Sequence, residues 1–269
     1  ISTGKSENKF GIDFSIIREA YARAAALPNV KIRGLQMHIG SQLTSVSPFV
    51  EAVDKVLPLV EELKALYGIE FFSIGGGMGI VYQDSLASGD SGWWDDRDET
   101  PLTIEEYAGQ LVPRLKPLGL KIILEPGRFM VGNAGVLITE MLYEKKGSAK
   151  TFKIVDAAMN DLIRPVLYEG HHEIAPLKEP TTNETEVVDI VGPVCESGDF
   201  FAQNREIPVI KTGDRIALLS AGAYGFVMAS NYNSRPLPAE ILVDGDKAHV
   251  IRARQTLDDL ILTEVVPAG

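Results

Sequence analysis

An α/β half followed by an all-β half is the fold class that this 269-residue chain predicts. Two patterns and one count predict it. Ahead of about Gly135, short apolar runs closed by glycine-containing turns alternate with amphipathic helical stretches. Strands alternating with helices build βα units on a parallel sheet. Beyond Gly135 the runs are short, β-branched and separated by turn residues, the signature of an all-β domain. The count is three strands in about 130 residues, where a complete (β/α)8 barrel needs roughly 250. The chain therefore reads as the C-terminal part of a TIM-type barrel over residues 1–132, then a β-sandwich or β-barrel domain over residues 133–269. The boundary is expected within Val131–Gly135.

In chain order, Phe14–Leu27 is the first helix, with Asp13 as its N-cap, and Val30–Ile39 the first strand. Pro48–Tyr67 is the second helix: Ser47 caps it, Pro48 takes the first helical position and Gly68 stops it. Glu70–Ile74 is the second strand. Ile104–Leu115 starts from Thr103 with Glu106 three residues on, a capping-box pattern, and Lys121–Leu124 is the third strand. Gln83–Pro101 is acidic, Gly/Ser-rich and carries Trp93 and Trp94. It reads as a mobile surface loop, unless the two tryptophans anchor it on a subunit or over a pocket. The β half contributes Val136–Tyr143, Thr151–Ala157, Glu186–Val191, Arg215–Leu219, Glu240–Val243 and Ala248–Ala253, with a hairpin turn at Asp244-Gly245-Asp246. An open three-stranded piece leaves an unpaired edge and a bare apolar face. Further strands are therefore expected from another segment, and a chain that opens in mid-flow on Ile1 begins as a fragment or a processed chain does.

Composition narrows the function classes. The chain is 45% hydrophobic and 23% charged, with no apolar run long enough to span a bilayer. A formal net charge of −11 argues against a nucleic acid or an anionic membrane as partner. A single cysteine excludes an internal disulfide framework and fits a reducing compartment, so a cytoplasmic location is expected. No secretory signal opens the chain.

Four segments carry chemistry: MHIGSQ at Met37–Gln42, SIGGGMG at Ser73–Gly79, EPGRF at Glu125–Phe129 and GPVCESGDF at Gly192–Phe200. Barrels place their sites at the C-terminal ends of their strands, where the first three segments fall. Gly75, Gly76 and Gly77 allow backbone amides to approach an anion, and Arg128 and Ser41 add phosphate-type donors. Taken singly, each residue has a plainer reading. Cys195 is then a buried structural cysteine, His38 a core histidine, Glu125 a salt-bridge partner and Tyr224 a core tyrosine in a Gly-rich turn.

In that order and spacing the four segments resemble the diaminopimelate decarboxylases, pyridoxal-phosphate enzymes of lysine biosynthesis within the alanine racemase/ornithine decarboxylase fold type. The resemblance runs from Ile1 to about Leu262. It implies decarboxylation of meso-2,6-diaminopimelate to L-lysine on pyridoxal 5'-phosphate, with no metal. The implied cofactor residues are Ser41, Gly75, Gly76, Gly77, Gly127, Arg128 and Tyr224, with Glu125 on the pyridine nitrogen and His38 against the ring face. NDLIRPVLY at Asn160–Tyr168 supplies Arg164 and Tyr168. By the resemblance these two and Arg128 hold the substrate's distal carboxylate, Glu196 its ammonium, and Tyr224 reaches both substrate and cofactor phosphate. Cys195 is implied to protonate the carbon that loses the carboxylate, its segment entering the site of the other subunit in a homodimer with shared sites. Lys9 and Asp199 are then expected to pair across that interface. None of Lys9, Lys31 and Lys121 sits in the motif of the family's Schiff-base lysine, which implies that this lysine lies in an N-terminal segment upstream of Ile1. The alternatives are another amino-acid decarboxylase of the same fold type, or a non-catalytic homologue that binds or regulates a partner.

Overall fold

The computed structural model describes residues 9–90, 92 and 101–267. It divides into two compact units, one running to Val81 and again over Asp90–Val131, the other over Tyr82–Gly89 and from Gly132 onward. Tyr82–Gly89 thus joins the second unit, although its place in the sequence assigns it to the first.

The first unit is built on three parallel strands in the order β1 (Gly34–Gln36), β2 (Phe71–Ser73) and β3 (Lys121–Ile123). Helices α1 (Ile17–Ala25), α2 (Ser47–Tyr67) and α3 (Ile104–Leu115) accompany them. Their apolar faces meet in one core around Phe49, Leu63, Phe72 and Leu111. Within it the Phe49 and Tyr107 rings pack edge to face at 5.1 Å, a geometry favoured by the ring quadrupole. Local signals act as their chemistry requires at two helix ends. Gly68 closes α2 in the left-handed conformation (φ 63°), and Thr103 caps α3 by accepting the Glu106 amide at 3.1 Å.

Two caps differ from expectation. Asp13 accepts the amide and hydroxyl of Ser15, tying a turn ahead of α1, which begins only after Ile16. Ser47 lies inside α2, whose cap is Val46. The first strand is also far shorter than Val30–Ile39. Among the described residues β1 is paired only to β2, and beyond Met37 the backbone leaves the ladder to lie against Gly75 and Gly77.

The second unit holds a six-stranded mixed sheet in the order β6 (Ile174–Pro176), β9 (Arg215–Leu218), β4 (Leu137–Lys146), β5 (Thr151–Val155), β7 (Thr185–Val191) and β8 (Phe200–Pro208). Only β5 and β7 run parallel. The outer strands β6 and β8 approach each other, so the sheet nearly closes around Met141, Val155, Ile190, Phe201 and Ile216. Neither β6 nor β8 is legible in the sequence. In β8 a polar stretch breaks the alternation where the β7–β8 register shifts, and Asn204 takes φ 47° and donates its amide to Asp189. Inside this unit Lys153 is 1% exposed, its ammonium held by Glu144 at 2.6 Å, Glu186 at 2.8 Å and the Ile210 carbonyl at 3.1 Å.

Strands β10 (Glu240–Asp244) and β11 (Lys247–Arg252) form the expected hairpin, turning at Gly245 with φ 60°. A short α6 (Leu257–Ile261) follows, with a reciprocal Thr256–Asp259 capping box. No helix among the described residues is long and apolar enough to cross a membrane.

Candidate functional site

In the first unit the segments after the three parallel strands converge. The amide of Glu125 donates to Gly75 O at 2.9 Å, and Leu43 and Met78 form an isolated parallel bridge. The glycine run is what lets these segments close up. A Cβ at Gly75 would strike the Met37 carbonyl, one at Gly76 the Glu125 carbonyl, and one at Gly77 the Gly40 carbonyl. Gly75 and Gly77 also take positive φ (74° and 108°), open to glycine at no steric cost. Close packing is therefore the first demand on this run. Two of its amides already have acceptors, Gly75 on Ser73 Oγ at 3.3 Å and Gly76 on His38 Nδ1 at 3.4 Å.

That last bond fixes His38. An Nδ1 that accepts leaves the ring proton on Nε2 in the neutral imidazole. The side chain is exposed, so the core-histidine reading does not hold. Glu125 is exposed too, its Oε1 accepting the Ser73 hydroxyl at 2.6 Å. Among the described residues no ion pair involves Glu125, which removes the salt-bridge reading. Arg128, on α4 (Gly127–Val131), is 4% exposed and donates from Nη2 to Ser41 Oγ at 3.2 Å. A buried guanidinium beside a hydroxyl is a donor set for a phosphate, and an exposed carboxylate on a neighbouring strand end suits a protonated ring nitrogen. Pyridoxal phosphate fits these residues. Lys31 pairs with Glu70 ahead of β1, and Lys121 opens β3.

In the second unit, α5 (Arg164–Tyr168) carries Arg164, 4% exposed, and one turn later Tyr168, 45% exposed. The loop Gly192–Asp199 packs on this helix. Gly198 faces Val166 so closely that a Cβ there would collide with the valine methyl. Cys195 is exposed at the loop tip, so it is not a buried structural cysteine. Adjacent Glu196 is exposed, with Oε2 accepting the Tyr232 hydroxyl at 3.3 Å.

Asp199 shapes this loop. Its Oδ2 accepts the Val194 amide and its Oδ1 the Met159 amide, each at 2.7 Å. The carboxylate also fills the space beside Gly192, where a side chain would clash. Burial pushes its pKa above the ordinary range, and the two amides oppose that shift. The Lys9–Asp199 pair expected across the interface involves a carboxylate already in use, since Asp199 is 4% exposed and both its oxygens accept amides inside its own unit. Lys9 lies over the Phe10 ring at 5.4 Å.

Tyr224 is 39% exposed and takes φ 57°, so it is no core tyrosine. A bulky residue in the left-handed region is a true outlier, costing on the order of 1–3 kcal/mol, and such strain clusters at functional positions. The preceding turn is tied down by the Ala221 amide on Gly135 O and the Gly222 amide on Gly132 O.

The described part of Gln83–Pro101 and the tyrosine just ahead of it make specific contacts within the second unit. Ser85 Oγ and Leu86 N donate to Glu173 at 3.1 and 3.2 Å, and Tyr82 is buried beneath the Arg164 guanidinium. Trp93 and Trp94 lie outside the described residues. Sequence reasoning missed Tyr82, His172 and Tyr232, and gave Asp199 a different partner, Lys9. Tyr82 and His172 contact Arg164, while Asp199 and Tyr232 shape the Cys195 loop. None of the three missed residues stands in a recognised segment.

Comparison with known proteins agrees with this arrangement. The family model described as the pyridoxal-dependent decarboxylase, C-terminal sheet domain, matches residues 15–222. A diaminopimelate decarboxylase of Vibrio cholerae is 45% identical over 268 residues, 99% of this chain and 60% of the relative. The Helicobacter pylori diaminopimelate decarboxylase solved with L-lysine superposes with TM-score 0.85 at 41% identity, over 98% of this chain and 62% of that one. The enzyme from M. jannaschii in complex with L-lysine gives TM-score 0.85 at 37% identity, over 97% and 59%. The chain thus spans about 60% of the length of the curated relatives that it matches. With a family model covering most of its length, the chain belongs to the pyridoxal-dependent decarboxylases.

Proposed function

We propose that the protein carrying this chain decarboxylates meso-2,6-diaminopimelate to L-lysine with pyridoxal 5'-phosphate. The observation that carries the reading is Arg164, a cation buried on α5 one turn from the Tyr168 hydroxyl. A substrate with a second, non-reacting carboxylate explains such a pair, because guanidinium binds carboxylate in a bidentate fork and a phenol adds direction. The similarity to decarboxylases named for that substrate supports the same choice.

Arg128, Ser41, Gly127, Tyr224 and the Gly75–Gly77 turn would hold the cofactor phosphate, and His38 would pack on the ring. Bound there, the cofactor would supply the electron sink for loss of the α-carboxylate. Glu125 would keep the ring nitrogen protonated. Arg164, Tyr168 and Arg128 orient the distal carboxylate, while Glu196, aimed by Tyr232, holds the distal ammonium. Cys195 donates its thiol proton to the carbon that has lost CO2. A thiol suits this because it is a soft acid that can give its proton to carbon and take another from solvent.

The first unit is then the last three strands of a (β/α)8 barrel, residues 1–132, with the β domain over 133–269. The Schiff-base lysine comes from the part of the protein outside this chain, and the working form is a homodimer in which each Cys195 loop serves the partner's site. Loading the full-length protein with pyridoxal phosphate and supplying meso-diaminopimelate should give CO2 and L-lysine in equal amounts. A protein that binds the cofactor and yet turns over only diamine precursors such as ornithine overturns the substrate assignment.

Cys195→Ala tests the proton donor. Because the thiol is exposed, stability should change by no more than about 0.5 kcal/mol. CO2 loss should continue while lysine formed per CO2 released falls well below the wild-type ratio, as the carbon is protonated at the wrong place or too late. An unchanged ratio with undiminished turnover removes Cys195 from the chemistry.

A further inference from the structure

The geometry points to His172 as a positioning residue that sets the orientation of the Arg164 guanidinium, and so the recognition of the substrate's distal carboxylate. The inference rests on the reading of Arg164 given above. His172 is fully buried, with Nδ1 2.7 Å from the Leu219 carbonyl and Nε2 2.7 Å from Arg164 Nη1. A carbonyl can only accept and a guanidinium can only donate. The imidazole between them must therefore carry its one proton on Nδ1 and present Nε2 as a lone pair. His172 is thus a neutral, tautomer-locked acceptor aimed at one arm of Arg164.

Two further groups confine the same guanidinium. Its Cζ lies 4.2 Å from the centroid of the Tyr82 ring, a cation–π stack that fixes its plane. Gly170 borders it on another side, where an added Cβ would stand 3.2 Å from Nη2. Tyr82 and His172 also support each other, ring edge to ring face at 5.4 Å. The backbone around them is held in turn. Arg205 Nη1 donates to the His172 carbonyl at 3.0 Å, and Ser85 and Leu86 tie the Tyr82 segment to Glu173. A long, flexible arginine with many rotamers is thereby reduced to one. Carboxylate recognition needs this, because a two-pronged hydrogen bond is lost when the fork turns out of plane.

The test uses the full-length protein loaded with pyridoxal phosphate, and two amine ligands that differ by one carboxylate. L-Lysine keeps the distal carboxylate after decarboxylation; cadaverine lacks it. In His172→Phe, which keeps a ring against Tyr82 but has no acceptor, L-lysine affinity should fall roughly 10- to 100-fold. Cadaverine affinity should change less than about threefold on the same scale. KM for meso-diaminopimelate should rise with the loss of lysine affinity while kcat changes little. His172→Gln, whose amide oxygen can reach the Nε2 position, should recover most of the lysine affinity. If His172→Phe does not fold, Tyr82→Leu carries the test and should weaken lysine selectively over cadaverine.

A uniform loss for both ligands, or a glutamine variant as weak as phenylalanine, makes His172 packing alone and overturns the inference. The Arg164→Ala control separates this from a failure of the underlying reading. Selective lysine loss in Arg164→Ala without any in His172→Phe refutes only the positioning role. No selective loss in Arg164→Ala refutes the carboxylate assignment and the inference with it.

Discussion

Replacing Arg164 by alanine should nearly abolish turnover of meso-diaminopimelate while sparing reaction of a substrate that has no distal carboxylate. Truncating one partner of a buried, hydrogen-bonded charge pair costs about 2–5 kcal/mol. That corresponds to roughly 30- to several-thousand-fold in kcat/KM. Part of the effect is structural, since Arg164 is 4% exposed and its loss strips His172 of its donor and Tyr82 of its stacked cation. An acceptor left unsatisfied in the interior costs about 1–3 kcal/mol of stability. Comparing diaminopimelate with ornithine in one preparation of the variant cancels that term. A large loss confined to diaminopimelate supports carboxylate recognition, whereas equal losses reduce Arg164 to a support of the fold.

Lys153→Ala should destabilise the six-stranded sheet about as much as truncating one of its buried apolar side chains. The lysine side chain is 2% exposed and neutralises Glu144 and Glu186, which are 32% and 23% exposed. Removing it leaves two carboxylates facing one another across a cavity, and breaking a buried ion pair from one side costs about 3–5 kcal/mol. The partial exposure of both glutamates places the expected value at the lower end, a fall in Tm of roughly 6–12 °C.

The same triad predicts the pH response. Burial pulls the Lys153 ammonium down, but its hydrogen bonds to Glu144 and Glu186 outweigh that and raise its pKa above the ordinary lysine value. Its contribution is therefore full below the unfolded pKa and is lost as pH rises through the folded one. The Lys153 and Lys146 bonds hold Glu144 below its ordinary range. Its contribution is present above the unfolded pKa and is lost as pH falls through the folded one. Thermal melts from about pH 2 to about pH 12 should show both flanks in the wild type, and Lys153→Ala should lose the alkaline one and weaken the acid one, since Lys153 is the main cause of the Glu144 shift. A Tm within about 2 °C of wild type at neutral pH would mean that solvent replaces the lysine at no cost.

Where order is set by neighbours in sequence, the sequence alone determined the outcome. Thr103 as the cap of α3, Gly68 after a long amphipathic run, and Gly245 between two β-branched runs each act within a few residues and behave as read, although of the Thr103–Glu106 capping box the described bonds include only the Thr103 half. The four chemical segments were legible for the same reason: backbone turns at strand ends need particular residues at fixed spacing. Legibility stopped where partners are distant along the chain. Lys153 looks like any exposed charge until β7 brings Glu186 to it, and Asp199 like a surface acid until Met159 and Val194 point their amides at it. The sequence offered a buried structural cysteine or a proton donor as alternatives for Cys195, and the loop that Asp199 builds leaves the residue exposed, which removes the first. β8 was hidden because a register shift and a left-handed Asn204 break its alternation, and such irregularity is fixed by the strand it pairs with. His172 carries no motif at all. Its tautomer, and with it the set of Arg164, exists only where a carbonyl 47 residues away and a guanidinium 8 residues away meet the same ring. Short-range chemistry is written in residue order, whereas the identity of a side chain's partner is a property of the packed chain.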